Sequence, residues 1–308
     1  MTKSALEISE WFRGLQDRIT TALEKADGYG KFREDLWERE GGGGGRSRIM
    51  ENGKVIEKGG VNFSAVFGNT PDFLRKQGSE DQMLEESFFA TGVSIVIHPS
   101  NPFVPIIHMN VRYFESGDGS SWWFGGGIDL TPHYVIPEDA VFFHQSLKTT
   151  CDRHDKQYYP KFKTWADDYF FIRHRQEMRG IGGIFFDQLK EDHTQPDKTA
   201  IWKFVQDVGN TFAPVYTALI EKNKEKEYTE TEKKWQRLRR GRYVEFNLVY
   251  DRGTRFGLET NGRTESILMS LPPIAEWIYD YKPEPETTEQ KTLNYLKKGI
   301  DWIEKRPT

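Results

Sequence analysis

His108, Asn110 and Arg112 alternate along the chain with Ile107, Met109, Val111 and Tyr113. Side chains on a strand have a period of two, so the two sets fall on opposite faces. One face is apolar. The other carries a proton carrier, an amide and a fixed cation within about 14 Å of strand. A strand that merely met solvent would be served by Lys, Thr or Glu. This set can hold an anion and move a proton. The structural alternative is a hydrogen-bonded trio, and any one of the three taken alone reads that way.

A second constellation is Trp122-Trp123-Phe124-Gly125-Gly126-Gly127-Ile128-Asp129. Three glycines after three aromatics let the backbone approach something closely. Neither a Walker pattern nor a Gly-x-Gly-x-x-Gly helix opening is present, so a phosphate cradle is disfavoured. Asp129 beside Trp and Gly suits an aromatic ligand with N–H donors; otherwise it caps a turn in a glycine bulge.

Arg175 and Arg179 read as an i, i+4 pair closing a helix, where two guanidiniums would make a carboxylate fork or complement the helix dipole. Asn261, Gly262 and Arg263 join a segment read as a strand to the apolar helix around Ile267, Leu268 and Met269. Backbone N–H groups there could bind an anion.

His98, His108, His144 and His174 lie far apart in sequence with no His-Glu-x-x-His pair, so spacing carries no metal signal. The single cysteine, Cys151, excludes an intramolecular disulfide and any cysteine-based zinc or iron–sulfur site, and points to a reducing cytoplasm. The basic run from Lys233 to Arg242 follows Glu227, Glu230 and Glu232 and matches no nucleic-acid motif; it reads as a solvated helix face.

These residues need elements to position them. The 308 residues carry a net charge of -4, and 14% are aromatic, enough bulk for a sizeable core. The acidic balance argues against a dedicated polyanion-binding surface. No stretch approaches the ~20 apolar residues of a membrane span. Leu6, Ile8, Trp11, Phe12, Leu15, Ile19 and Leu23 have helical spacing, with acidic residues interspersed, so the start reads as neither a signal nor a clear transit peptide. Helix is predicted over 5–40 and 195–221, and one or two long helices over 138–178. Strands are predicted over 89–98, 104–115 and 180–186, with a turn at Asn52-Gly53. Residues 242–250 and 255–260 read as a hairpin around Asp251-Arg252-Gly253-Thr254. Strands and helices interleave without a βαβα rhythm, which predicts a single α+β domain with a largely antiparallel sheet covered by helices.

Taken together, these segments resemble the oxygen-dependent coproporphyrinogen-III oxidase family over nearly the whole chain. The likeness rests on Gly60-Val61-Asn62-Phe63-Ser64, Gly92-Val93-Ser94, Ile97-His98-Pro99, His108 through Phe114, and Trp122 through Pro132. It continues through Arg179 to Asp187, Tyr250 to Thr254, and Met269-Ser270-Leu271-Pro272.

The resemblance implies two successive oxidative decarboxylations that turn two propionates of coproporphyrinogen III into vinyls. Molecular oxygen is consumed as co-substrate, and carbon dioxide and hydrogen peroxide are released. It implies no flavin, haem or required metal. Some members are described as binding a divalent metal through four histidines, here His98, His108, His144 and His174. It further implies a large, flat antiparallel sheet between helices, and a homodimer with contacts around 243–278.

By the same resemblance His108 is the acid/base, Arg112 grips the reacting propionate, and Asp129 accepts the pyrrole N–H groups. Ser94, Asn110, Val111, Asn261, Gly262 and Arg263 anchor the substrate, with Arg175 and Arg179 adding local positive charge. A non-catalytic tetrapyrrole carrier and a histidine-based metal oxygenase are the alternatives.

Overall fold

The computed structural model describes residues 2–69, 87–191, 197–259 and 262–304. Helix α1 (Lys3–Asp27) begins at the Thr2 cap and stops at Gly28, whose positive φ of 76° closes the last turn. Helix therefore does not extend to residue 40 as the sequence suggested. Past the cap, Arg33–Glu38 alternates and pairs as strand β1.

The chain then runs through β2 (Gly43–Glu51), β3 (Ile56–Asn69), β4 (Ser87–Pro99), β5 (Ile106–Ser116) and β6 (Trp122–Thr131). Helices α2 (Pro137–Asp152) and α3 (Tyr158–Tyr169) follow. Next come two short strands, β7 (Phe171–Ile172) and β8 (Glu177–Met178), and then β9 (Gly182–Leu189). The chain continues through α4 (Lys198–Asn223), α5 (Glu230–Val249), α6 (Arg252–Glu259), α7 (Thr264–Leu268) and α8 (Thr288–Tyr295).

Among the described residues, seven strands form one antiparallel sheet in the order β1-β2-β3-β4-β5-β6-β9. This is the expected α+β class. The predicted Asn52-Gly53 turn joins β2 to β3, with Asn52 in the left-handed region (φ 59°). The buried Asp27 carboxylate fixes that turn by accepting backbone N–H groups of Gly30, Lys54, Val55 and Ile56.

One face of the sheet is covered by α1 and α4. Ile107, Met109, Val111 and Tyr113 are buried there, and Phe124 stacks on Trp202 of α4 at 5.4 Å. The opposite face is covered at the β1–β4 side by the α5–α7 region. Tyr243 packs with Val96 and Ile106, Asn62 donates to the Ser266 carbonyl at 2.7 Å, and Met269 seats against Gly60.

The predicted hairpin at 242–260 is instead the end of α5 followed by α6. Tyr and Val there suggested strand, yet β propensity yields to packing. A Thr229/Glu232 capping box starts the helix well upstream, and Trp235, Leu238, Arg239, Tyr243, Phe246 and Asn247 are buried at helical spacing. The segment 138–178, expected as one or two helices, is two, the second of which ends at Tyr169 and not at residue 178. Arg175 and Arg179 are consequently not neighbours on one helix face.

Candidate active site

Strand β5 shows the predicted alternation: His108, Asn110 and Arg112 are partly exposed between fully buried neighbours. Cross-strand register extends this face sideways. Asn62, Ser94, Asn110 and Gly127 form one row across β3–β6; His108 stands opposite Asp129, and Arg112 opposite Gly125 and Gly92. The floor is thus low where glycines sit and functional where β5 crosses it. A Cβ on Gly125 would come within 2.8 Å of the Arg112 guanidinium, so glycine is what lets that side chain lie across β6.

The chemical centre is the pair His108–Asp129. His108 Nδ1 lies 2.8 Å from Asp129 Oδ1. Arg179 Nη2 donates to both oxygens of the same carboxylate at 2.8 Å. Asp129 and Arg179 are 1% and 2% exposed. The Arg179 guanidinium is stacked among Phe170, Tyr243 and Phe246 at 4.4–4.7 Å, and Nη1 donates to Asn247 Oδ1 at 2.9 Å. Burial would push the Asp129 carboxyl up, but the Arg179 charge and the His108 bond overcome it and hold it below its ordinary value.

Asp129 is therefore an ionised acceptor, so His108 Nδ1 carries the hydrogen of their bond, which leaves Nε2 outside it. Arg179 matches the buried carboxylate charge.

Arg112 is the cation on the open face. Nη1 donates to Asn110 Oδ1 at 2.8 Å, Nη2 donates to Asp187 Oδ1 at 2.7 Å, and the guanidinium lies 5.7 Å from the Trp123 ring centre. Arg252 Nη2 stands 4.0 Å from the other Asp187 oxygen, its guanidinium over Tyr169. Asp187 was not among the sequence candidates. Its one signal was its place at the end of the run Gly183-Ile184-Phe185-Phe186.

Other candidates fall elsewhere. Val111 turns its side chain into the core on the opposite face. Arg175 does not join Arg179. It makes a two-point pair with Glu245 at 2.9 and 2.7 Å, on a turn where Gln176 takes a positive φ of 53°. His174, Arg242 and Trp277 converge on the same carboxylate. Burial would raise the Glu245 carboxyl, yet these donors, Arg175 first, bring it down to about 2. Arg263 pairs with Asp35 of β1, and Gly262 is exposed, its N–H donating to the Gly257 carbonyl at 2.8 Å. Asn261 lies outside the described residues.

The four histidines do not converge as a metal set. His98 is buried with Nε2 on the Ser270 carbonyl at 2.8 Å, and His144 is buried between the Tyr159 hydroxyl and the Ile181 carbonyl at 3.0 Å. His174 binds Tyr250 and Glu245. Among the described residues, no three metal-ligating side chains come together. The residues present do not fit a four-histidine metal.

A glycine-floored sheet face bearing a histidine–carboxylate pair and a cation beside it is the anatomy of an enzyme site. The chain belongs to the coproporphyrinogen III oxidase family, whose sequence model matches residues 7–302. It is 49% identical over 302 residues to coproporphyrinogen-III oxidase 1, chloroplastic, of Arabidopsis thaliana, covering 94% of this chain and 77% of that protein. The oxygen-dependent chloroplastic coproporphyrinogen-III oxidases of Nicotiana tabacum and Glycine max are each 48% identical, over 94% and 98% of this chain and 75% and 80% of theirs.

Proposed function

We propose that the open face around β5 binds coproporphyrinogen III and carries out its oxygen-dependent oxidative decarboxylation to protoporphyrinogen IX. This is the step in porphyrin biosynthesis that the family membership assigns to the chain. The observation that carries the assignment to this face is the His108–Asp129 pair at 2.8 Å on the same face of β5 as the Arg112 guanidinium.

In each half of the reaction the propionate β-carbon gives up a hydride equivalent and the carboxylate leaves as carbon dioxide. The electron pair left behind forms the vinyl. Oxygen accepts two electrons and leaves as hydrogen peroxide, which needs one proton beyond that of the hydride. The electron-rich pyrrole activates oxygen, with no flavin, haem or metal. His108 is the group that moves the proton, since an imidazole has two ring nitrogens, one on Asp129 and one left to exchange a proton. Arg112 holds the propionate. Ser94 and Asn110, paired with each other in the neighbouring row, contribute hydrogen bonds.

We read Asp129 as orienting His108 rather than accepting the macrocycle's N–H groups, a reading supported by its 1% exposure and by the Arg179 bonds to both of its oxygens.

The chain acts as one domain, because a single continuous hydrophobic cluster runs from Ala5 to Trp302. It acts as a homodimer through 243–278, where Leu248, Val249, Phe256, Ile274 and Trp277 are exposed. Among the described residues no helix is long and apolar enough to cross a membrane. A buried lone cysteine suits a reducing compartment, read here as the cytoplasm, whereas the relatives' names are chloroplastic; cell fractionation decides between them.

The test is purified protein with coproporphyrinogen III, with and without oxygen and with EDTA. Vinyl product should form only with oxygen and survive EDTA. Binding without oxygen uptake would favour a carrier, and loss of activity with EDTA a metal oxygenase.

A further inference from the structure

Asp187 reaches Arg112 only because the sheet is irregular at that point. Strand β6 pairs with β9 at Phe124↔Leu189 and at Gly126↔Phe186, so Gly125 alone faces both Asp187 and Gln188. This is a bulge, a device that re-aims a side chain. It has a conformational cost: Gln188 is a non-glycine residue at φ 49°. Its own backbone N–H donates to Asp187 Oδ1 at 3.0 Å, which fixes the carboxylate's direction. Gly125 has no Cβ to obstruct the guanidinium passing above it. Three local features thus converge on setting one carboxylate 2.7 Å from Arg112 and 4.0 Å from Arg252.

This arrangement opposes the task of an anion anchor. An arginine meant only to seize carboxylates would present an unoccupied guanidinium. Here an internal carboxylate competes for it, within the same cleft, at the high local concentration that tethering gives.

We propose that Asp187 is an affinity-setting counter-ion for Arg112. It occupies Arg112 whenever no substrate carboxylate is bound, so that every incoming carboxylate must displace it, and porphyrins with few carboxylates are held weakly. The inference rests on Arg112 being the propionate anchor. Its consequence is release: the cost of displacement is the same for every porphyrin, so the tetracarboxylate, held by further carboxylates, stays bound, whereas the dicarboxylate left after two decarboxylations has lost half of them and is weak enough to leave.

The pair is partly exposed, with side chains 30% and 20% accessible, so removing the competitor should tighten carboxylate binding about 1.5- to five-fold. The experiment compares wild type, Asp187→Asn and Asp187→Glu by fluorescence titration with coproporphyrin III and protoporphyrin IX, alongside steady-state turnover. Asp187→Asn should bind both porphyrins more tightly by a similar factor, with a lower KM and a kcat reduced by slow product release. Asp187→Glu, which keeps the charge, should restore wild-type affinity, and Arg112→Ala should erase the gain in the Asp187→Asn background.

Weaker binding of both porphyrins by Asp187→Asn, a raised KM with lowered kcat, or unchanged affinities would overturn the proposal. If Arg112 is not the anchor, Arg112→Ala in otherwise wild-type protein leaves both affinities intact, which marks the failure of the underlying reading and removes the inference with it.

Discussion

The imidazole of His108 and the carboxylate of Asp129 face each other across paired strands, with Nδ1 and Oδ1 2.8 Å apart and Arg179 on the carboxylate's other side. The relationship is fixed by register, not by loop conformation. A histidine on one β strand and an aspartate directly opposite must point to the same face, so sheet pairing itself sets the distance. If Asp129 works by orienting His108, the two act as a unit. Asp129→Asn and His108→Gln should each lower kcat by about 10²–10⁴-fold, and the double variant should be no worse than the weaker single variant. Steady-state turnover of the three proteins measures this; multiplicative losses would separate the two residues.

Arg179 is a structural prerequisite of that pair. Arg179→Met would leave the Asp129 carboxylate buried without its cation, in a pocket walled by Phe170, Tyr243 and Phe246. Breaking a buried ion pair by removing one partner costs about 3–5 kcal/mol. Denaturant unfolding should register that loss, while Arg175→Met, whose partner Glu245 keeps His174, Arg242 and Trp277, should cost much less.

Stability should fall on mild acidification. His98 and His144 are fully buried, and burial pushes both down to about 3; His133 is driven down the same way. A histidine held neutral in the fold binds its proton only on unfolding. Its contribution is therefore complete above its ordinary value near 6.5 and is lost progressively as pH falls from there toward 3. Each such residue gives a slope of up to about 1.4 kcal/mol per pH unit. Between pH 6.5 and 4.5 the histidines act before the carboxylates of Asp129 and Glu245, whose lowered values place their losses further down. Unfolding free energies at pH 7.5, 6.0 and 5.0 should show this slope, and His144→Gln should flatten it by roughly a third.

The apolar surface of α5–α6 and the segment after α7 should be covered by a second copy of the chain. Val249 and Ile274 are 50% and 53% exposed, and neither lies in the catalytic cluster. Leu248→Glu together with Val249→Glu should shift sedimentation from dimer to monomer. Wild-type protein that sediments as a monomer would remove the assembly from the account.

Much of this was readable from residue types. The alternation in β5 is a local property, because period two with one apolar face leaves no other placement, and the three polar residues took the face their spacing dictated. Asn52-Gly53 was equally local. What failed was information held by distant parts of the chain. Residues 242–250 have strand-like composition, and only the cap at Thr229 and the partners of Tyr243 and Phe246 make them helical. Arg175 and Arg179 look like a pair in sequence. The turn at Gln176 separates them, sending one to Glu245 and the other to Asp129. Asp187 was hidden for a different reason: a bulge cannot be seen in a single strand, because it is a mismatch between two.

The central claim is that this face performs the oxidation and that Arg112 anchors the carboxylate that is lost. Simultaneous oxygen uptake and vinyl formation from coproporphyrinogen III, for wild type and Arg112→Ala, tests it most directly. Wild type should consume one oxygen per vinyl formed, and Arg112→Ala should lose about 2–5 kcal/mol of transition-state binding, at least roughly 30-fold in kcat/KM. Full turnover by Arg112→Ala, with wild-type KM, would contradict the account.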